Sequence, residues 1–305
     1  MSTLKTTNLT KKFGKFTALN GVNLEVHKGE VYGFIGPNGA GKSTTIRVLL
    51  GILKATEGKV EIFGKDAWKD AVEIHKRIAY VPGDVNLWPN LTGGEVIDLF
   101  IKLRGGRNNG RREELIKKFD FDPSKKCRTY SKGNRQKVAL IAAFSSDADL
   151  YILDEPTSGL DPLMELVFQE YVLDAKAKGK SVILSSHILS EVEKLCDRVG
   201  IIRQGEIIES GTLNELRHLT RINLLVETKH PVTSLTELNG VHDIKAKGQA
   251  LTFQVDSEEL ESVIQYISQF RVTKLESAPP TLEDLFMRHY GESGQTSNAG
   301  VGGRS

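Results

Sequence analysis

The chain contains 305 residues, 39% of them hydrophobic and 26% charged, an ordinary globular balance in a chain long enough for two domains. Its formal net charge of +2 is too small to indicate nucleic-acid binding on its own. Cys127 and Cys196 lie far apart, which excludes a disulfide framework and fits a reducing compartment. The N-terminal segment lacks the apolar core of a signal peptide, and no apolar run approaches the roughly 18 residues that cross a bilayer.

Short apolar runs alternate with helical patterns over the first two thirds of the chain. Most of these runs are apolar on both faces, as parallel strands covered by helices should be. The alternation predicts an α/β domain, which we place at residues 1–218. Its predicted strands are Val31–Ile35, Ile78–Val81, Leu150–Leu153, Ser181–Leu184 and Val199–Ile202.

A helical insertion is predicted within this domain, at about residues 84–148. Glu95–Arg104 has an apolar stripe at helical spacing, and Thr92 is placed to cap it with Glu95 three residues on. Two further helices are predicted at Glu113–Phe119 and Arg135–Phe144.

The pattern changes again from about Arg221, where apolar residues begin to alternate. A helical stripe runs from Leu260 to Phe270, a short helix is expected near Leu235, and Arg271–Leu275 is the last predicted strand. The order β-α-β-β-α-β predicts a small ferredoxin-like α+β domain over residues 219–290. It ends in an amphipathic helix, Thr281–Tyr290, and a Gly/Ser-rich tail at 291–305 is expected to be disordered.

A glycine-rich segment follows strand Val31–Ile35, precedes a predicted helix at Ser43–Leu53, and matches the phosphate-binding pattern G-x-x-x-x-G-K-[ST]. Its glycines let backbone N–H groups converge on one point, and the helix N-terminus adds positive partial charge. Lys42 can reach the β- and γ-phosphates, and Ser43 can bind Mg²⁺. We therefore predict an ATP site at Gly36, Pro37, Asn38, Gly39, Ala40, Gly41, Lys42, Ser43 and Thr44.

Two carboxylates, Asp154 and Glu155, end the predicted buried strand Leu150–Leu153. Adjacent carboxylates repel unless a cation lies beside them. Asp154 therefore suits the Mg²⁺ shell, and Glu155 suits a general base for the attacking water, a role typically worth about 10²–10⁴ in rate. The alternative is a plain surface pair, which the phosphate-binding loop disfavours.

With these motifs the chain resembles the nucleotide-binding subunit of ABC transporters, over roughly residues 3–215. Tyr130-Ser-Lys-Gly-Asn134 is similar to the family's signature, usually L-S-G-G-Q, although Lys132 and Asn134 depart from it. The resemblance implies a head-to-tail dimer in which Ser131, Lys132, Gly133 and Asn134 bind the partner's nucleotide. Lys132 either contacts phosphate or points to water. Thr157–Pro162 resembles the D-loop, so Asp161 is expected to face the partner subunit.

The resemblance also assigns single residues. His187 matches the switch histidine that contacts the γ-phosphate, although a lone histidine after a strand can simply be a polar cap. Phe13 matches the aromatic that stacks on adenine, with Ala18 nearby; packing in the core is the alternative. Where the family carries a glutamine, this chain has Gly83. We hypothesise that Asp84 supplies an oxygen to Mg²⁺ instead; otherwise it is an exposed turn residue.

One cassette followed by a small domain that ends in P-T-L-E-D-L-F-M-R-H-Y resembles ATPases of the ABC-2 exporter type, which include antibiotic efflux subunits. The resemblance implies a Mg²⁺-dependent ATPase, with ATP and Mg²⁺ as cofactors, that powers export through a separate permease. Such a subunit is cytoplasmic and peripheral at the inner face of the cell membrane, and the segment Val85–Leu91 with Trp88 is expected to receive the permease.

Two other functions remain open at this point. A soluble ABC ATPase acting on the ribosome or DNA is the main alternative, but no basic stripe with interleaved aromatics is present, so we expect no nucleic-acid partner. A catalytically inactive binding module is the other alternative, against which the motif residues Lys42, Asp154, Glu155 and His187 speak. The transported substrate is not specified by these residues.

Overall fold

The computed structural model describes residues 2–105, 110–218, 221–248 and 250–278. The predicted helix Thr281–Tyr290 and the tail at 291–305 lie outside the described residues. The chain divides into two compact units, residues 1–210 and 211–305, whereas the sequence pattern places the change at residue 218. Within the described residues, no helix is long and apolar enough to cross a membrane.

The described strands, in chain order, are β1 (Ser2–Phe13), β2 (Phe16–His27), β3 (Val31–Ile35), β4 (Glu57–Ile62), β5 (Lys65–Asp66), β6 (Ile78–Val81), β7 (Leu150–Asp154), β8 (Ser181–Ser186), β9 (Arg198–Arg203), β10 (Glu206–Thr212), β11 (Ile222–Thr228), β12 (Val241–Lys247), β13 (Ala250–Val255) and β14 (Val272–Ala278). The described α-helices are α1 (Lys42–Leu49), α2 (Ala71–His75), α3 (Gly93–Leu103), α4 (Arg111–Lys118), α5 (Lys132–Phe144), α6 (Pro162–Ala177), α7 (Leu189–Leu195), α8 (Leu213–His218) and α9 (Leu260–Ser268).

A six-stranded sheet in the order β10-β9-β3-β8-β7-β6 forms the centre of the first unit. Strands β9, β3, β8, β7 and β6 are parallel neighbours, and β3, β7 and β8 are buried at every residue. The carboxyl ends of parallel strands meet at one edge of a sheet. That edge therefore collects the segments that begin at Gly36, Glu155 and His187.

A second, antiparallel sheet in the order β2-β1-β4-β5 was not predicted. Its strands carry many polar residues, and one face packs into the core through leucines and valines such as Leu4, Leu19 and Val26. The long β1–β2 hairpin closes with Phe13 opposite Phe16.

The three helices predicted at Glu95–Arg104, Glu113–Phe119 and Arg135–Phe144 are present as α3, α4 and α5, with bounds close to the predicted ones. Helix α3 begins with the expected capping box, because Thr92 Oγ1 accepts a hydrogen bond from Glu95 N at 3.1 Å and the Glu95 carboxylate accepts one from Thr92 N. The prediction that α1 runs to Leu53 was wrong. The helix ends at Leu49 because Gly51 adopts a left-handed φ of 64°.

The second unit has the predicted ferredoxin-like order of elements. Its antiparallel sheet runs β12-β13-β11-β14, and α9 contributes Val263 and Ile267 to a core shared with Leu224 and Phe253. The helix expected near Leu235 is a single 3₁₀ turn, Leu235–Glu237.

Candidate nucleotide-binding site

The glycine-rich loop is shaped for a group that approaches its backbone closely. Gly39 and Gly41 adopt φ values of 80° and 116°, which favour glycine. A Cβ on Gly36 would lie 2.3 Å from the carbonyl oxygen of Ile202, so no side chain fits there. The loop leads directly into α1, whose N-terminus supplies free N–H groups and positive partial charge.

Lys42 lies buried at the centre of this loop. Its Nζ donates hydrogen bonds to the carbonyl oxygens of Gly36, at 2.6 Å, and Pro37, at 3.1 Å. Burial lowers the pKa of Lys42, and the nearby carboxylates of Glu155 and Asp154 oppose that shift. The loop therefore holds a partly desolvated cation where phosphate oxygens would be expected.

The two carboxylates stand at the end of β7, as predicted, but in different environments. Asp154 is buried and accepts a hydrogen bond from the hydroxyl of Ser185 on β8. Glu155 has a φ of 45°, and its N–H donates to Ser185 O at 2.9 Å. A left-handed φ is costly for a residue with a side chain and is concentrated at functional sites.

His187 lies beside Glu155, since its Nδ1 is 3.5 Å from Glu155 Oε2. The imidazole is 58% exposed and the glutamate 27%, so both can reach a bound nucleotide and water. Lys42, the adjacent Asp154 and Glu155, and His187 are thus brought together from three separate segments, as the motifs require.

Oxygen donors fit Mg²⁺ at this position. Asp154 offers a carboxylate and the exposed Ser43 a hydroxyl, the hard ligands that Mg²⁺ prefers while it keeps several waters. A Cβ on Gly83 would lie 3.2 Å from Asp154 O, so position 83 adjoins the site. Asp84 is exposed, and Asn86 donates to its Oδ2 at 3.5 Å. Among the described residues, no group of three or more His, Cys, Asp or Glu is clustered for a metal.

The end of the β1–β2 hairpin lies beside the loop. Ala18 O would be 3.2 Å from a Cβ on Gly41. Phe13 is exposed at the hairpin tip, with Lys11 Nζ 5.0 Å from its ring centroid. An exposed ring does not fit the core-packing alternative and is available for stacking.

The signature segment lies at the N-terminus of α5. Ser131 is the N-cap and accepts from Asn134 N at 3.3 Å. Lys132 is exposed, and its Nζ donates to Ser158 Oγ of the D-loop at 2.6 Å. A Cβ on Gly133 would lie 2.3 Å from Gly159 O, so these two loops are in close contact.

Asp161 caps α6, accepting from Met164 N at 3.0 Å. Two residues of this neighbourhood were missed from the sequence. Ser185 holds Asp154, and the buried Gln136 donates to Pro156 O at 2.9 Å. Ser185 follows an apolar run and Gln136 lies between Arg135 and Lys137, and neither pattern identifies a partner distant in sequence.

The parallel sheet, the glycine loop with its lysine, and the paired carboxylates define a P-loop ATPase with an ABC-type helical insertion. The family model for the ABC transporter matches residues 19–158. A second model, the C-terminal domain of DrrA1-3-like ATP-binding proteins, matches residues 211–290.

Similar proteins span nearly the whole chain. The ABC transporter ATP-binding protein YhaQ of Bacillus subtilis is 30% identical over 292 residues, covering 93% of this chain and 97% of that protein. The bacitracin transport ATP-binding protein BcrA of Bacillus licheniformis is 32% identical over 310 residues, covering 95% and 98%. The chain therefore belongs to the ABC transporter family, as an ATP-binding subunit.

Solved structures agree with this assignment. An ATP-binding subunit of an ABC transporter superposes with a TM-score of 0.66 and 33% identity, covering 71% of this chain and 92% of that one. The dimeric cassette MJ0796 superposes with a TM-score of 0.64 and 26% identity, covering 69% and 98%. ATP hydrolysis is the activity of this class of protein.

Proposed function

We propose that this chain hydrolyses ATP in a Mg²⁺-dependent manner and thereby powers export through a separate membrane permease, working as a peripheral subunit at the inner face of the cell membrane. The observation that carries the proposal is the division of the site. The loop at 36–44, Asp154, Glu155 and His187 make one half. The signature at 131–134 lies at the start of α5, with Ser131 and Lys132 exposed.

Each residue has a distinct part in hydrolysis. Lys42 neutralises the β- and γ-phosphates, and Ser43 and Asp154 would hold Mg²⁺, which polarises the phosphoryl oxygens when bound. Glu155 accepts the proton of the attacking water, and its partly exposed carboxylate beside His187 leaves room for that water. His187 donates to the γ-phosphate from its position beside Glu155. Phe13 stacks on adenine.

The dimer is head-to-tail, with ATP between Lys42 of one subunit and Ser131 of the other. Support comes from the exposed signature, where the Ser131 hydroxyl and the α5 N-terminus can meet a phosphate. The superposition on the dimeric MJ0796 cassette adds to this.

Asp84 supplies a Mg²⁺ oxygen in place of the glutamine that Gly83 replaces, since position 83 adjoins Asp154.

The permease docks on an apolar groove of about 410 Å³ within the first unit. Leu50, Val72 and Leu103 are among its apolar lining, and Lys76 is part of its charged lining. We therefore expect a short permease helix with apolar and acidic side chains. Phe100 also lines the groove and lies 6.3 Å, centroid to centroid, from Trp88, which makes Trp88 an anchor at its edge.

An antibiotic is the proposed cargo class. BcrA is named for bacitracin transport, and its match to this chain covers 95% of the chain and therefore extends over both domains. Cargo contacts would lie in the permease, so no residue of this chain is assigned to them.

Co-purification with a candidate multi-span permease, followed by ATPase assays, tests the proposal. Trp88 is 51% exposed and Trp68 46%, so Trp88→Ala and Trp68→Ala are matched variants. Trp88→Ala should weaken permease binding by about 10-fold or more, whereas Trp68→Ala should not. If both variants bound the permease as strongly as the parent, docking at Trp88 would be contradicted. If the parent hydrolysed no ATP even in the presence of Mg²⁺, the motor role would be contradicted.

A further inference from the structure

Helix α7 carries a buried carboxyl group that hydrolysis as described above does not use. Glu191 is only 5% exposed. Its Oε2 accepts a hydrogen bond from Ser186 Oγ at 2.8 Å, and Thr157 Oγ1 makes a longer contact with the same oxygen at 3.5 Å. Ser186 immediately precedes His187, and Thr157 lies two residues after Glu155. One carboxylate oxygen therefore contacts both the end of β8, just before His187, and the segment that follows β7.

This carboxyl group is costly where it stands. Its other oxygen, Oε1, is buried and has no hydrogen-bond partner among the described residues. Burial raises the pKa of Glu191, and the hydrogen bonds from Ser186 and Thr157 oppose that shift only in part. An unpaired polar atom in the interior is destabilising, and a leucine would fill the same space at less cost. Packing alone does not explain the residue.

The turn that carries His187 depends on the Ser186 hydroxyl. That hydroxyl donates to Glu191 and accepts from Ile188 N at 3.0 Å, so it fixes the backbone on both sides of His187. The imidazole itself is mostly exposed, and its described side-chain contact is the 3.5 Å approach of Nδ1 to Glu155 Oε2. Its position is thus set mainly through the backbone that Glu191 anchors.

We propose that Glu191 is a positioning residue that holds the switch histidine, His187, at its working distance from Glu155 by binding Ser186 and, more weakly, Thr157. The roles of His187 and Glu155 come from the proposed function on which this inference rests. The contact with Ser186, at 2.8 Å, is shorter than the contact with Thr157, at 3.5 Å. Loss of the Ser186 hydrogen bond should therefore displace His187, whereas loss of the Thr157 contact should change little.

Steady-state ATP hydrolysis by the full chain tests this assignment. Glu191→Leu keeps the volume but removes the acceptor, and we expect kcat to fall by roughly 10-fold with KM for ATP within about two-fold, because orientation is lost and not binding. Glu191→Gln keeps an acceptor oxygen and should retain kcat within about three-fold. Ser186→Ala should resemble Glu191→Leu, and Thr157→Val should lower kcat less than Ser186→Ala does.

A double-mutant cycle with His187→Ala separates positioning from general damage. If Glu191 acts through His187, Glu191→Leu should cause no further loss in the His187→Ala background. Val192→Ala, a buried neighbour on the same helix, is the packing control. Losses that multiply in the double variant, or a kcat loss with Val192→Ala equal to that of Glu191→Leu, would overturn the assignment of Glu191. A fully active His187→Ala variant would instead contradict the proposed role of His187 and, with it, this inference.

Discussion

The two regions proposed to hold the phosphates of ATP, the loop at 36–44 and the signature at 131–134, differ in how complete they are. Lys42 is buried and already hydrogen-bonded to its own loop, whose glycine geometry admits no Cβ at Gly36. Ser131 and Lys132 are exposed, and Lys132 bonds to the D-loop of its own chain. The first region is preorganised within one subunit, and the second offers groups that a second subunit would use.

The largest expected effect is at the preorganised region. Glu155→Gln should preserve ATP binding but lower turnover by about 10²-fold or more, because a general base is lost while Lys42 and the loop are untouched. Steady-state hydrolysis and equilibrium nucleotide binding measure the two quantities. Glu170→Gln, a surface change that removes an ion pair with Lys118 at 3.3 Å, is the control and should match the parent. Parent-like turnover by Glu155→Gln would remove the base assignment.

At the signature, Ser131→Ala should lower turnover by roughly 10-fold and leave ATP binding by the separate subunit unchanged, because a charge-assisted hydrogen bond to the partner's nucleotide is lost. The variant also loses an N-cap. Thr92→Ala loses the cap of α3 in the same insertion and is therefore the matched control. If both variants reduced turnover equally, cap loss and not phosphate binding would explain the result.

A smaller effect is expected at the edge of the preorganised region. Asp84→Asn should raise the Mg²⁺ concentration for half-maximal turnover by roughly a few-fold, because a carboxylate binds Mg²⁺ more strongly than the amide oxygen of asparagine. Asn86→Ala removes the 3.5 Å contact to Asp84 but leaves the carboxylate, so its Mg²⁺ titration should follow the parent. An unaltered titration for Asp84→Asn would leave Asp84 as an exposed turn residue.

The smallest effect concerns pH and the buried carboxyl group of Glu191. Burial raises the pKa of Glu191 in the folded state above the ordinary value of 4.5. Its contribution to the free energy of unfolding is therefore fully present below pH 4.5, and it is lost as pH rises through the folded pKa. Glu191→Gln cannot ionise, so its melting temperature relative to the parent should increase from pH 4.5 upward. A difference that does not vary with pH would contradict an ionisable, buried Glu191.

Features set by contiguous residues could be predicted from the sequence, whereas contacts between distant residues could not. The bounds of β3 and β6 were predicted correctly, and the loop after β3 follows from a contiguous pattern in which spacing alone fixes the geometry. The contact of Lys132 with Ser158 was not predictable, because 26 residues separate the two. The antiparallel sheet was also missed, since its strands are half polar and their pairing is set by the β1–β2 hairpin and by partners far along the chain.

In the proposed dimer, ATP joins the preorganised half of one subunit to the exposed signature of another. Sedimentation velocity of the Glu155→Gln variant with Mg²⁺ and ATP tests it most directly, since ATP binding then persists without hydrolysis. We predict a monomer without nucleotide, a dimer with ATP, and a weaker dimer when Ser131→Ala is added. A chain that stays monomeric at high protein concentration, with its nucleotide site measured as occupied, would contradict the account.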